Sequence, residues 1–188
     1  MSIGAIVFRS HKRKARAGQL YNAIVAQARR PEFYATGFVP DTIEGRYEMV
    51  VLHCHLVLRR LGRAGAEGAK LAQDLFDYMG SDFDRSMREI GVGDVSVGKY
   101  MKRLGMGFYG RAGAYDAALD GDDNNALAAA LSRNVLGSAE DDPALLDEAA
   151  ACLALYVRES DRILSACSVA ALAEAQPRFA HFQMRKAA

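Results

Sequence analysis

No acidic residue precedes Glu32 in this chain, although Arg9, Lys12, Arg13, Lys14, Arg16, Arg29 and Arg30 crowd the same stretch. Bases are scarce in turn from Asp116 to Glu148, where Arg133 stands alone. The overall charge is only +1, so this polarity favours orientation on an anionic surface or a charged partner over general nucleic-acid binding, and no specific DNA contact is expected. Cysteine is sparse: Cys54, Cys152 and Cys167 are odd in number, lack CxxC spacing and sit in apolar helical patterns. That excludes a disulfide framework and reads as three buried small hydrophobes in a reducing cytoplasm. No run approaches the roughly 18 apolar residues of a membrane span. The start, MSIGAIVFRSHKRKAR, places its apolar stretch before its basic cluster, the reverse of a secretory signal. Alternating strand patterns, internal repeats and low-complexity linkers are also missing, which argues against a sheet or a solenoid.

What is present is helical periodicity. The chain reads as a single all-α domain over 1–188, a bundle of six to eight helices about one apolar central helix, with 1–11 a flexible basic arm and 178–188 an irregular tail. Leu20, Ile24 and Ala28 with Tyr21 and Val25 give an amphipathic first helix from Lys12 to Arg30, capped by Ser10 and stopped by Pro31. A loop from Glu32 to Gly45 packs Phe33, Tyr34 and Phe38 on the bundle. MVVLHCHLVL, between Arg46 and Arg63, is apolar around the whole wheel and belongs at the centre. Leu71, Leu75, Phe76 and Met79 mark a short helix, and Phe83, Met87 and Ile90 another beyond a Gly80-Ser81 break. Val97, Met101, Leu104, Phe108, Ala112, Tyr115 and Leu119 form the clearest stripe. On that helix Gly105, Gly107, Gly110 and Gly113 each cost about 1 kcal/mol relative to alanine, so something should approach its backbone closely, a neighbouring helix in preference to a partner. After DGDDNN, Leu127, Leu131 and Val135 mark a helix over 126–136. Asp142-Pro143 then opens a long one that keeps one face as far as Pro177.

Few constellations support bond-making chemistry. Gly93 to Lys99 satisfies G-x-x-x-x-G-K, but Tyr100 stands where magnesium needs Ser or Thr, and helical sequence precedes it where a strand is required. His53 and His55 lie two apart on a helix and point about 200° away from one another, so they cannot share a metal; one reads as a core histidine and the other as a surface one. Asp120 to Asn125 is a solvated turn without the length of a calcium loop. No nucleophile elbow is recognisable. Neither catalytic residues, metal ligands nor a cofactor are expected.

The segment Asp82 to Lys99, DFDRSMREIGVGDVSVGK, concentrates charge and glycine where a plain helix corner needs neither. It is the strongest candidate for a recognition surface, against the simpler reading in which its charges only cap and pair adjacent helices. Asp82, Asp84, Arg85, Arg88, Glu89, Gly91, Gly93 and Asp94 of this corner, with Lys99, Lys102, Arg103, Met106, Tyr109 and Arg111 of the helix after it, form the candidate partner-binding set.

The blocks YNAIVAQARRPEFY, VPDTIEGRYEMVVLH, LVLRRL, LAQDLFDYM, SDFDRSMREIGVGDVSVGKYMKRL and FYGR, in this order from about Tyr21 to Arg111, resemble the ubiquinol-cytochrome c chaperone family. The resemblance implies a non-catalytic assembly factor for respiratory complex III whose client is newly made cytochrome b. It further implies a small partner protein and contact with the ribosome, as in mitochondrial relatives, and a cytoplasmic site of action peripheral to the inner membrane. The basic amino terminus is the candidate contact for anionic lipid or for the ribosome. A competing reading is a small helical enzyme or carrier for a quinone- or isoprenoid-like ligand, which requires a deep apolar pocket converging on His53 or on paired carboxylates.

Overall fold

The computed structural model describes the backbone at residues 3–35, 39–89, 91, 93–136 and 143–182, and side chains from 13 onward within those ranges except at 94, 95, 100 and 104. The expectations for Phe38, Ile90 and Asp142, and for the side chains of Asp94 and Leu104, lie outside the described residues. Seven α-helices and no strand occur among them: α1 (Ile3–Ala28), α2 (Ile43–Gly62), α3 (Gly65–Glu89), α4 (Asp94–Asp120), α5 (Asn124–Leu131), α6 (Pro143–Ser165) and α7 (Val169–Ala173).

The apolar wheel of MVVLHCHLVL becomes the bundle axis. Thr42 starts α2 by accepting the Gly45 amide hydrogen at 3.1 Å, and the helix buries Met49 through Val57 without interruption, so it packs against α1, α3, α4 and α6. His55 is buried there as well as His53, which corrects the surface position expected of one of them; it stands beside the rings of Phe108 and Tyr115. Cys54 and Cys167 are buried as expected, whereas Cys152 is half-buried.

α2 begins at Ile43, inside the expected loop, and α5 begins at Asn124; three further helix boundaries differ more widely from the sequence pattern. α1 starts at Ile3 and not at Lys12, so Ser10 lies inside it and is not its first residue or N-cap position. Gly80-Ser81 does not break α3. The Ser81 hydroxyl donates to the Asp77 carbonyl at 2.8 Å within the same helix, and the pairs Asp82–Arg85 and Asp84–Arg88 follow immediately. The long last helix ends at Ser165, twelve residues before Pro177. There Arg60 Nε donates to the Cys167 carbonyl at 3.0 Å, and Ser168 opens α7 by accepting the Ala171 amide hydrogen at 3.1 Å.

Beyond α7 the chain is irregular yet packed. Phe179 meets the His53 ring edge-on at 5.1 Å, and Phe182 lies 4.9 Å from Phe33 and 5.7 Å from Tyr156. Ser160, fully buried on α6, accepts the Ala180 amide hydrogen at 3.1 Å and fixes the register of this strap.

A helix turn of lesser consequence gives a small, clean prediction. Asp123 Oδ1 accepts the Ala126 amide hydrogen at 2.9 Å at the start of α5, which runs on into a π-turn at Ser132–Leu136. Asp123→Ala should lower unfolding free energy by about 1 kcal/mol in thermal denaturation, and no change would mean that the cap is solvated away.

Candidate functional site

Two long helices, α3 and α4, lie on either side of the corner at Gly91 and pack against one another. Gly91 has φ of +88°, a backbone conformation that glycine adopts without strain, and Gly93 is the exposed N-cap of α4. Between the two helices lies an open groove of about 540 Å³ lined by Phe76, Asp77, Gly80, Ser81, Asp84 and Met101. Its floor continues into a more enclosed, apolar pocket of about 110 Å³ bounded by Tyr47, Phe76, Met79, Gly80, Phe83, Met101, Gly105 and Phe108.

Two glycines create that floor. Gly80 belongs to α3 and Gly105 to α4; both line the pocket, and a Cβ built at either would meet no other atom within 4 Å. The same is true at Gly110 and Gly113, while at Gly107 only the guanidinium of Arg111 comes near. Among the described residues no neighbouring helix approaches these glycines, so the favoured expectation of a packed helix is not met. Each still lowers intrinsic helix stability by about 1 kcal/mol, with no close packing among the described residues to offset it.

The candidate partner-binding residues distribute around this groove. Asp84 lines it and is held by Arg88 Nε at 2.7 Å. Asp82 is half-buried, accepts the Tyr21 hydroxyl hydrogen at 2.9 Å and pairs with Arg85, which also lies 3.9 Å from Glu89. Tyr21 is a secure donor there, since burial above all, together with the negative charge of Asp82, pushes its phenol pKa well up. The corner charges thus pair along their own helix while Arg85, Arg88 and Glu89 stay exposed. On the other side, Lys99, Lys102 and Arg103 are exposed, and so are Met106 and Tyr109, whose ring stands 5.9 Å from Phe76 at the groove's edge. Arg111 is set apart: it turns inward to Glu48 of α2 at 2.5 Å. Burial raises the Glu48 pKa against the opposing pull of Arg111. The side chain of Asp94 lies outside the described residues.

The apolar floor was missed by reasoning from the sequence. Met101 and Phe108 belong to a stripe that reads as core, and Gly80 reads as a helix break; only the count of glycines on α4 hinted at an uncovered surface. Neither pocket touches His53. That ring is sealed beneath the C-terminal strap, its Nδ1–H donating to the Met49 carbonyl at 2.7 Å and its Nε2 accepting from Tyr156 at 2.6 Å. No cluster of three metal-ligating side chains occurs among the described residues.

Residues 37–179 match a family model described as ubiquinol-cytochrome C chaperone. The chain is 28% identical over 161 residues to ubiquinol-cytochrome-c reductase complex assembly factor 1 of Xenopus laevis, an alignment covering 86% of this chain and 78% of that protein. The mouse and human proteins named complex assembly factor 1 are each 27% identical over the same length, and there the alignment spans only 53% and 52% of the relative. The crystal structure of the Cbp3 homolog from Brucella abortus superposes with a TM-score of 0.81 at 41% identity, covering 97% of this chain and 98% of the other.

Proposed function

From the premise that this chain belongs to the ubiquinol-cytochrome c chaperone family, we propose that it is a non-catalytic chaperone that holds newly made cytochrome b during assembly of respiratory complex III. The client binds in the α3–α4 groove. Its apolar segment covers the floor at Met79, Met101 and Phe108, and the charged rim at Asp84 and Arg88 fixes its direction. The corner from Asp82 to Asp94 is the entrance. The observation that carries this reading is the pair Gly80 and Gly105, two glycines that leave an apolar cleft open where larger side chains would close it.

A cleft of this kind suits a segment destined for a bilayer, because apolar side chains that would otherwise meet water gain burial at about 25 cal/mol per Å². No described helix is long and apolar enough to cross a membrane. In this reading the protein works beside the membrane that receives its client, and the charged rim, open to solvent, gives a salt-sensitive first encounter.

Filling the cleft separates function from folding. Gly105→Leu places a side chain in open space and improves helix propensity by close to 1 kcal/mol, so the variant should melt no lower than the parent. Capture of newly made cytochrome b by the tagged variant should fall at least about tenfold, roughly 1.4 kcal/mol of binding. Undiminished capture would remove the groove as the site. A deletion strain that assembles normal complex III would remove the function itself.

A further inference from the structure

We infer that the outward face of α4 is the surface on which this protein rests against an anionic phospholipid bilayer. Between Asp94 and Asp116 the helix carries no acidic residue. Lys99, Lys102 and Arg103 are exposed along it, and Met106 and Tyr109 stand among them at 61% and 66% exposure. At 3.6 residues per turn these five positions fall within an arc of about 120°. Within this arc a Cβ at Gly110 or Gly113 would meet no atom within 4 Å.

The mixture of side chains selects the partner. Three cations suit phosphate oxygens of any source, but a solvent-exposed thioether and a tyrosine ring gain from the headgroup and acyl boundary of a bilayer, where the ring is buried and its hydroxyl stays wet. A nucleic-acid backbone would use the lysines and leave Met106 in water. The contact is peripheral, since α4 is not apolar enough to cross a membrane. Tyr109, at one end of this arc, stands beside Phe76 at the groove's edge, so a bilayer against the outward face borders the groove proposed to receive an apolar client. This last consequence rests on the proposed function, while the lipid contact does not.

The test is co-sedimentation of the full chain with vesicles of phosphatidylcholine and phosphatidylglycerol, against vesicles of phosphatidylcholine alone. Binding is expected to the mixed vesicles only and to weaken as salt is raised. The double variant Lys99→Glu, Lys102→Glu should lose about tenfold or more of its partitioning with an unchanged circular-dichroism melt, and Lys99→Gln, Lys102→Gln serves if the reversal does not fold. Equal binding to both vesicles overturns the inference. So does undiminished binding of a folded lysine variant, which would move the contact to the basic α1, and so does tighter binding to polyuridylate than to the mixed vesicles. Client capture is read separately through Gly105→Leu, so the failure of one reading leaves the other standing.

Discussion

Arg59→Ala should lower the free energy of unfolding by about 3 kcal/mol, read from urea denaturation at neutral pH. Arg59 projects from α2 with its side chain only 4% exposed, and its three nitrogens reach three carboxylates on two other helices. Nη1 lies 2.6 Å from Asp116, Nη2 lies 2.6 Å from Asp120 and Nε lies 3.1 Å from Asp161. Burial disfavours the guanidinium charge, yet the hydrogen bonds to Asp120 and Asp116 and the charge of Asp161 outweigh it and raise the pKa. Removing this cation leaves a seam of like charge joining α2, α4 and α6. Asp116 and Asp120 are half-exposed and water relieves part of the repulsion, which places the loss at the lower end of the range for a broken buried pair. Arg59→Lys should recover only part of the stability, because an ammonium is a point charge and cannot span three acceptors as a planar fork does. A loss below 1 kcal/mol for the alanine variant would show that the carboxylates, not the arginine, set the geometry of this seam.

Acid should weaken the fold by a comparable amount through one ring. His53 is fully buried on α2, and burial pushes its pKa down to about 4 against the favourable hydrogen bond to the Met49 carbonyl. With Nδ1–H donating to that carbonyl, Nε2 must accept the Tyr156 hydroxyl hydrogen, an arrangement that needs the neutral imidazole. In the unfolded chain the same histidine titrates near 6.5. Above pH 6.5 both states are neutral and the stabilisation is whole. Below it the unfolded chain takes up a proton that the native ring refuses, and the loss grows until the native ring also protonates near pH 4, for a total of about 3 kcal/mol. Comparing the parent with His53→Gln cancels the carboxylates, which titrate in both. The parent's unfolding free energy should fall more steeply between pH 6.5 and 4.5, by up to about 1.4 kcal/mol per pH unit. Resonances of the native His53 ring that titrate near 6.5 would rule this out.

The helical class and the central place of α2 were legible in the sequence because both follow from local periodicity. A segment apolar on every side, such as 48–58, has no stable position except among other helices, whatever they are. The inward face of α4 was legible for the same reason: Val97, Phe108, Tyr115 and Leu119 repeat at helical spacing, and all are buried. The candidate set around the corner was read from charge and glycine density, signals that say a surface is unusual without saying what shape it has.

Helix ends were decided by tertiary contacts. A Gly-Ser pair costs only about 1 kcal/mol of propensity, which packing on α1 and α2 overrides, so α3 runs through it. At Ser165 the reverse holds: an apolar pattern that could have continued is interrupted where Arg60 of a distant helix binds the Cys167 carbonyl. His55 shows the same limit, since burial on one side of α2 depends on where Phe108 and Tyr115 of another helix arrive.

By itself, then, the order of residues determined which segments are helices, which one is central and where charge collects, because each of these is a property of neighbours along the chain. The open groove was decided only by folding. Gly80 and Gly105 are ordinary weak points within their own helices, and they become the walls of a cleft solely because the Gly91 corner lays α4 beside α3 at a distance their missing side chains leave unfilled.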